Sequence, residues 1–99
     1  MSVWSEYCDF LKSVAPTKNR VVIRRAHLLD HGSTAQSENG TIYVTIRKRD
    51  SLSVQIDTLT HEWAHVLEMD GWDPHGRVWL DHYGRLYHLS LKFMEHKRK

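Results

Sequence analysis

Apolar residues recur along this chain with two different periods, and each change of period marks a change of element. Trp4, Tyr7, Leu11 and Val14 repeat every three to four residues up to Pro16, which predicts an amphipathic helix capped by Ser2. From Arg20 to Leu28 the chain carries the β-branched run Val21-Val22-Ile23, followed by Arg24 and Arg25, and reads as a strand. Asp30 to Gly40 is polar, with Gly32, Ser33, Ser37 and Asn39-Gly40, and reads as a loop or turn. Alternation then becomes strict from Thr41 to Arg47. Ile42, Val44 and Ile46 share one face, while Tyr43, Thr45 and Arg47 share the other, as a half-buried strand requires. This second strand is expected antiparallel to the first or at the sheet edge.

Helical spacing returns with Leu52, Ile56, Leu59, Trp63, Val66 and Leu67. The spacing predicts a helix capped by Asp50 or Ser51, running to about Met69 and stopped by Asp70-Gly71. A turn, Trp72-Asp73-Pro74-His75-Gly76, leads into a last helix from about Arg77 to His96. Trp79, Leu80, Tyr83, Leu86, Tyr87, Phe93 and Met94 form its broad apolar stripe. The expected class is α+β: an N-terminal helix, a small sheet of two to three strands, a middle helix and a long C-terminal one. Ninety-nine residues suffice for a single domain, 1–99, with a core near the lower limit for unaided folding.

Composition narrows the picture modestly. A formal charge of +2 is too small to demand a nucleic-acid partner, although Arg24-Arg25, Arg47-Lys48-Arg49 and Lys97-Arg98-Lys99 leave one open. Cys8 is the only cysteine, which excludes an intrachain disulfide and a thiolate metal cluster and suits a reducing compartment. The first helix carries it with no histidine beside it in sequence, so a packing thiol is expected rather than a nucleophile. There is no leader pattern and no apolar run long enough to span a bilayer, so a cytoplasmic location without membrane contact is expected.

The chemistry lies in His61-Glu62-Trp63-Ala64-His65. On a helix, His61 and His65 stand one turn apart on one face, a spacing at which two imidazoles can grip one Zn²⁺ ion. Glu62 is next to the first of them, placed to act on a water at that ion. Asp57, Thr58, His61, His65 and Glu68 lie off the apolar stripe, so the histidines are expected to face a cleft. A third protein ligand would leave the fourth position of a zinc open. His75 suits this best, because the chain can double back after Gly71 and Gly76 beside it permits close approach; Asp73, Glu68 and His82 are alternatives. Glu68 stands where a metzincin requires glycine, which excludes that arrangement. Asp57, Glu68 and Asp73 are placed to accept the second ring N–H of a liganding histidine. Tyr83, His82, Arg77 and Tyr87 are possible donors to an oxyanion, while Trp79 is expected in the core. His27 and His31 lack ligand spacing and are expected to be ordinary polar residues.

The order strand, strand, helix bearing His61-Glu62-Trp63-Ala64-His65, then His75-Gly76-Arg77-Val78-Trp79 opening another helix, resembles the SprT-like zinc metallopeptidases. The small versions found in phage and bacterial genomes are the most similar. Over roughly residues 40 to 90 the resemblance implies a minimal zincin-like domain with one zinc on His61, His65 and His75 and with Glu62 as catalytic carboxylate. It further implies a protein or peptide substrate, which could add to the edge of the Thr41–Arg47 strand, and action in the host cytoplasm if the chain is phage-encoded. Two other classes stay in view: a metal-dependent nuclease, and a non-catalytic module in which zinc stabilises a DNA- or protein-binding fold.

Overall fold

In the computed structural model, which describes residues 2–69 and 75–98, Ser2 accepts a hydrogen bond from the Ser5 N–H at 3.1 Å and starts α1, Val3–Val14. The helix buries Trp4, Tyr7 and Leu11 at the predicted spacing. It closes at Ala15, whose N–H reaches the Leu11 carbonyl at 2.9 Å, immediately before Pro16 forbids another turn.

Three strands follow, β1 (Val21–Ala26), β2 (Gly32–Gln36) and β3 (Ile42–Arg47), in the sheet order β1-β3-β2. Two expectations are corrected here. The alternating strand is neither antiparallel to β1 nor at an edge: β3 is central, parallel to β1 and antiparallel to β2. A parallel pair needs a long crossover, and the segment from 27 to 41 supplies it with room for a further strand inside. That strand is β2, in the stretch expected to be loop. Gly-Ser-Thr-Ala-Gln has little strand propensity of its own, so its ladder to β3 makes it one. The hairpin between β2 and β3 turns at Asn39-Gly40, where Gly40 has φ +89, a conformation that favours glycine. The Asn39 side chain accepts from the Thr41 N–H at 3.0 Å. Being central, β3 buries Ile42, Val44 and Ile46 completely.

Ser51 rather than Asp50 caps α2, Leu52–Leu67, accepting from the Val54 N–H at 3.4 Å. Asp50 instead accepts from Arg47 Nε at 2.9 Å and sits 2.8 Å from His31 Nδ1. Ile56, Leu59, Trp63 and Val66 are buried as their spacing predicts, whereas Leu52, in the first turn, is exposed. The helix ends at Leu67 with Glu68 as its cap, two residues before the expected Met69. Asp70-Gly71, the expected stop, lies outside the described residues. Two buried hydrogen bonds tie α2 to α1. The Trp63 indole N–H donates to the Ala15 carbonyl at 3.0 Å. The Thr60 hydroxyl donates to the Ile56 carbonyl at 2.8 Å, which leaves Tyr7 as donor in the 2.5 Å Tyr7–Thr60 contact.

The last helix, α3, spans Arg77–Lys97 and is capped by the Gly76 backbone, whose carbonyl accepts from the Leu80 N–H at 3.0 Å. Residues 79, 83, 86, 90 and 93 face the core. Leu80 and Tyr87, expected in the same stripe, stand one residue further on, about 100° around the helix, and are exposed. Phe93 meets Tyr7 and Phe10 with ring centroids 5.1 and 5.0 Å apart, and Lys97 ion-pairs with Glu6, so α3 closes onto α1. The result is the expected α+β class, three helices on a three-stranded mixed sheet. Its radius of gyration, 13.0 Å, matches about 13 Å for a folded chain of this length. No helix among the described residues is long and apolar enough to cross a membrane.

Candidate metal centre

Because α2 continues unbroken through residues 61–65, His61 and His65 lie one turn apart with their Nε2 atoms 3.2 Å apart. Two zinc–nitrogen bonds of about 2.0–2.1 Å at a tetrahedral angle span about 3.3 Å, so this pair has the separation of two corners of one coordination sphere. His75, two residues before α3 begins, brings a third ring to them. The three ligand atoms all lie within 4.8 Å of one another. Among the described residues the cluster contains neither Glu68 nor His82, the alternatives for third ligand, and Asp73 lies outside those residues.

Two of the rings, His61 and His65, are also held toward the uncharged state a metal needs. Burial lowers the pKa of His61, a shift that Glu62 opposes and His75 reinforces. Burial, then the charges of His61 and His75, lowers His65 from 6.5 to about 4. His61 and His65 are thereby favoured uncharged, and with His75 they make a set of three nitrogens with a short N···N spacing that fits a zinc ion. Behind them stands Trp79, buried as expected, with its ring centroid 4.9, 5.3 and 4.9 Å from those of His61, His65 and His75. Its own indole N–H is buried with no hydrogen-bond partner among the described residues.

Glu62 is 7 % exposed on the side of α2 that meets β2. The Thr34 hydroxyl donates to its Oε1 at 2.7 Å, and its Oε2 stands 3.8 Å from His61 Nε2. One carboxylate oxygen is thus held by the sheet and the other faces the histidines. Gly32 makes this approach possible. A Cβ there would fall 2.6 Å from the Thr58 methyl and 3.3 Å from Glu62 Cγ, pushing β2 away from the helix.

His61 and Glu62 open onto a cleft of about 380 Å³ whose other walls are His31, Gly32, Asp57, Thr58 and Tyr83. Of the oxyanion donors proposed from sequence, Tyr83 is the one that borders it, with its ring 5.9 Å from His61 and stacked on Trp79 at 5.1 Å. Burial, assisted by the charge of Asp57, raises the Tyr83 pKa, so the phenol keeps its proton. His82 and Arg77 do not line the cleft, and Tyr87 reaches it only through its contact with Tyr83. Asp57 is in the wall but makes no hydrogen bond to His61. Glu68 lines a separate hollow with Thr17, Lys18, Asn19 and Gln36, away from the ring it was expected to orient. Asp73, the third proposed orienting group, lies outside the described residues.

β2 contributes what local sequence patterns missed, Gly32 and Thr34; His31, just before it, stays outside the ligand cluster as expected, bonds Asp50 and borders the cleft. Its hydrogen bond, with that of Arg47, holds the Asp50 carboxyl below its usual pKa. The edge also changes identity. β3 is paired on both sides and has none to offer. The Arg47 N–H donates to the His31 carbonyl and the Ser37 N–H to the Thr41 carbonyl, so odd-numbered residues of β2 bond to β3. Gly32, Thr34 and Gln36 therefore turn their main-chain groups to the free edge, beside Glu62.

Elsewhere the chemistry is quiet. A larger hollow of about 610 Å³ between α1 and β1 contains Cys8, but burial pushes that thiol up to about 11 and leaves it a poor nucleophile. Arg24 and Arg25 cover the rings of Tyr43 and Trp4, Arg47 bonds Asp50 and Lys97 pairs with Glu6, so four of the eight residues in the basic runs are engaged within the fold. The chain matches no protein-family model, no curated protein and no solved structure.

Proposed function

We propose that this chain is a zinc-dependent peptidase of the SprT-like, zincin-like kind, with His61, His65 and His75 holding the ion and Glu62 as its proton-transfer carboxylate. The observation that carries this is the convergence of three imidazoles next to a buried carboxylate that is already held in place from one side. A bound zinc supplies a Lewis acid and acidifies water at neutral pH. The remaining roles belong to the chain. Glu62 takes the proton of the attacking water and passes it to the leaving amine. Thr34 holds Oε1, which leaves Oε2, on the histidine side, for that transfer. The protonated Tyr83 phenol is the donor available to the carbonyl oxygen as charge develops on it. The substrate main chain adds to the free edge of β2 through Gly32, Thr34 and Gln36, which lays a scissile bond along the cleft.

Glu62→Gln tests this with zinc-loaded protein and casein as substrate. The variant should keep one zinc per chain and lose about 10²–10⁴-fold in cleavage rate. A parent that binds zinc yet cuts no protein would instead favour an ion that staples α2 to the start of α3. Cleavage of RNA or DNA untouched by Glu62→Gln would favour a nuclease.

A further inference from the structure

The cleft wall holds several groups capable of carrying charge, and all but one are already engaged. Glu62 is held by the Thr34 hydroxyl. His31 is bonded to Asp50 and also contacts Arg47. His61 belongs to the histidine cluster, and Tyr83 stays a neutral phenol. Asp57 remains. It lies in the wall one helical turn before His61, and no described residue gives it an ion pair or a hydrogen bond. Its field is felt at both tyrosines that α2 faces, since it raises the pKa of Tyr83 and of Tyr7. The Tyr83 ring in the same wall suits the aliphatic stem of a long cationic side chain.

An extended peptide on the β2 edge would direct alternate side chains toward α2. One turn of helix, about 6 Å between Cβ positions, separates Asp57 from His61, a distance a lysine or arginine side chain spans. We propose that the cleft selects peptides bearing Lys or Arg beside the scissile bond, with Asp57 as the carboxylate that receives the cation. This rests on the peptidase reading for its substrate class, and it makes Asp57 a specificity residue rather than the partner of His61 that its position in the helix suggests.

The experiment uses zinc-loaded Glu62→Gln protein, so that binding is read without cutting. Fluorescence anisotropy gives the Kd of labelled extended peptides that differ only in a central Lys, norleucine or Glu. The Lys peptide should bind about fivefold or more tighter than the norleucine peptide, with the Glu peptide weakest, and added salt should shrink the gap. Adding Asp57→Asn should erase the preference at unchanged zinc content, and Asp57→Lys should invert it toward the Glu peptide, a gain that misfolding does not produce. Equal affinities, a preference that survives Asp57→Asn, or no binding of any of the three overturns the proposal. The peptidase reading is judged separately, by cleavage of casein by the parent. Cleavage there with no basic preference in the binding series sinks the Asp57 assignment alone.

Discussion

Each face of α2 meets a buried tryptophan, Trp63 of its own on one side and Trp79 of α3 on the other, and the two are finished differently. Trp63 lies in the apolar stripe, fully enclosed, with its indole N–H bonded to the Ala15 carbonyl across the core. Trp79 packs on the opposite side, against three imidazoles, with its N–H unmatched among the described residues. On the first face every polar group that enters the core has a partner: Tyr7 donates to Thr60, and Thr60 to Ile56. On the second, ring nitrogens stand 3.2 Å apart and their pKa values are lowered. The difference teaches that the hydrophobic side is complete as a folded structure. On the proposed function the histidine side awaits an ion, whose binding would add to folding stability.

Breaking the finished face should have the largest effect. Trp63→Ala is expected to cost about 3–5 kcal/mol in urea denaturation, much of the roughly 5–15 kcal/mol that holds a domain together. His65→Ala in metal-free protein should cost nothing or stabilise, because it relieves three crowded rings; a loss matching that of Trp63→Ala would erase the distinction between the faces. Supplying the ion comes next. Zinc at a hundredfold excess over its Kd should raise stability by about 2.7 kcal/mol, and His75→Ala should reduce both that gain and the zinc content found by elemental analysis. Full occupancy in His75→Ala would move the third ligand elsewhere. The smallest effect is the pH dependence of the metal-free protein. His65 titrates at about 4 when folded and near 6.5 when unfolded, so the unfolded chain binds the proton first and stability falls as pH drops from 6.5 to 4. Partial exposure of the residue keeps this modest, and His65→Ala should flatten that part of the urea-midpoint profile.

Local pattern sufficed for much of this molecule. Helical spacing of apolar residues located all three helices, and strict alternation located β3, because in each case one face is buried and the period records it. The His61–Glu62–His65 turn was legible for the same reason: a helix fixes the relative direction of residues four apart. What escaped is what arises between segments. Gly32–Gln36 has no apolar alternation, so nothing local marked it as β2, and with it went the central placement of β3 and the identity of the open edge. Thr34 meets Glu62 across 28 residues of sequence, and His31 reaches the cleft through its bond to Asp50. Glu68 looked suitable because it follows His65 by three residues, yet the helix ends there and its side chain turns to another hollow.

The strand order β1-β3-β2 also sets a schedule. β2 and β3 are joined by a five-residue connection and can zip as a hairpin within microseconds, whereas β1 has no neighbour until β3 exists. As the chain leaves a ribosome, Val21–Ala26 must wait, with its ladder unmade, until Arg47 has been synthesised. The carboxylate-bearing helix emerges only after that, onto a hairpin already able to receive it.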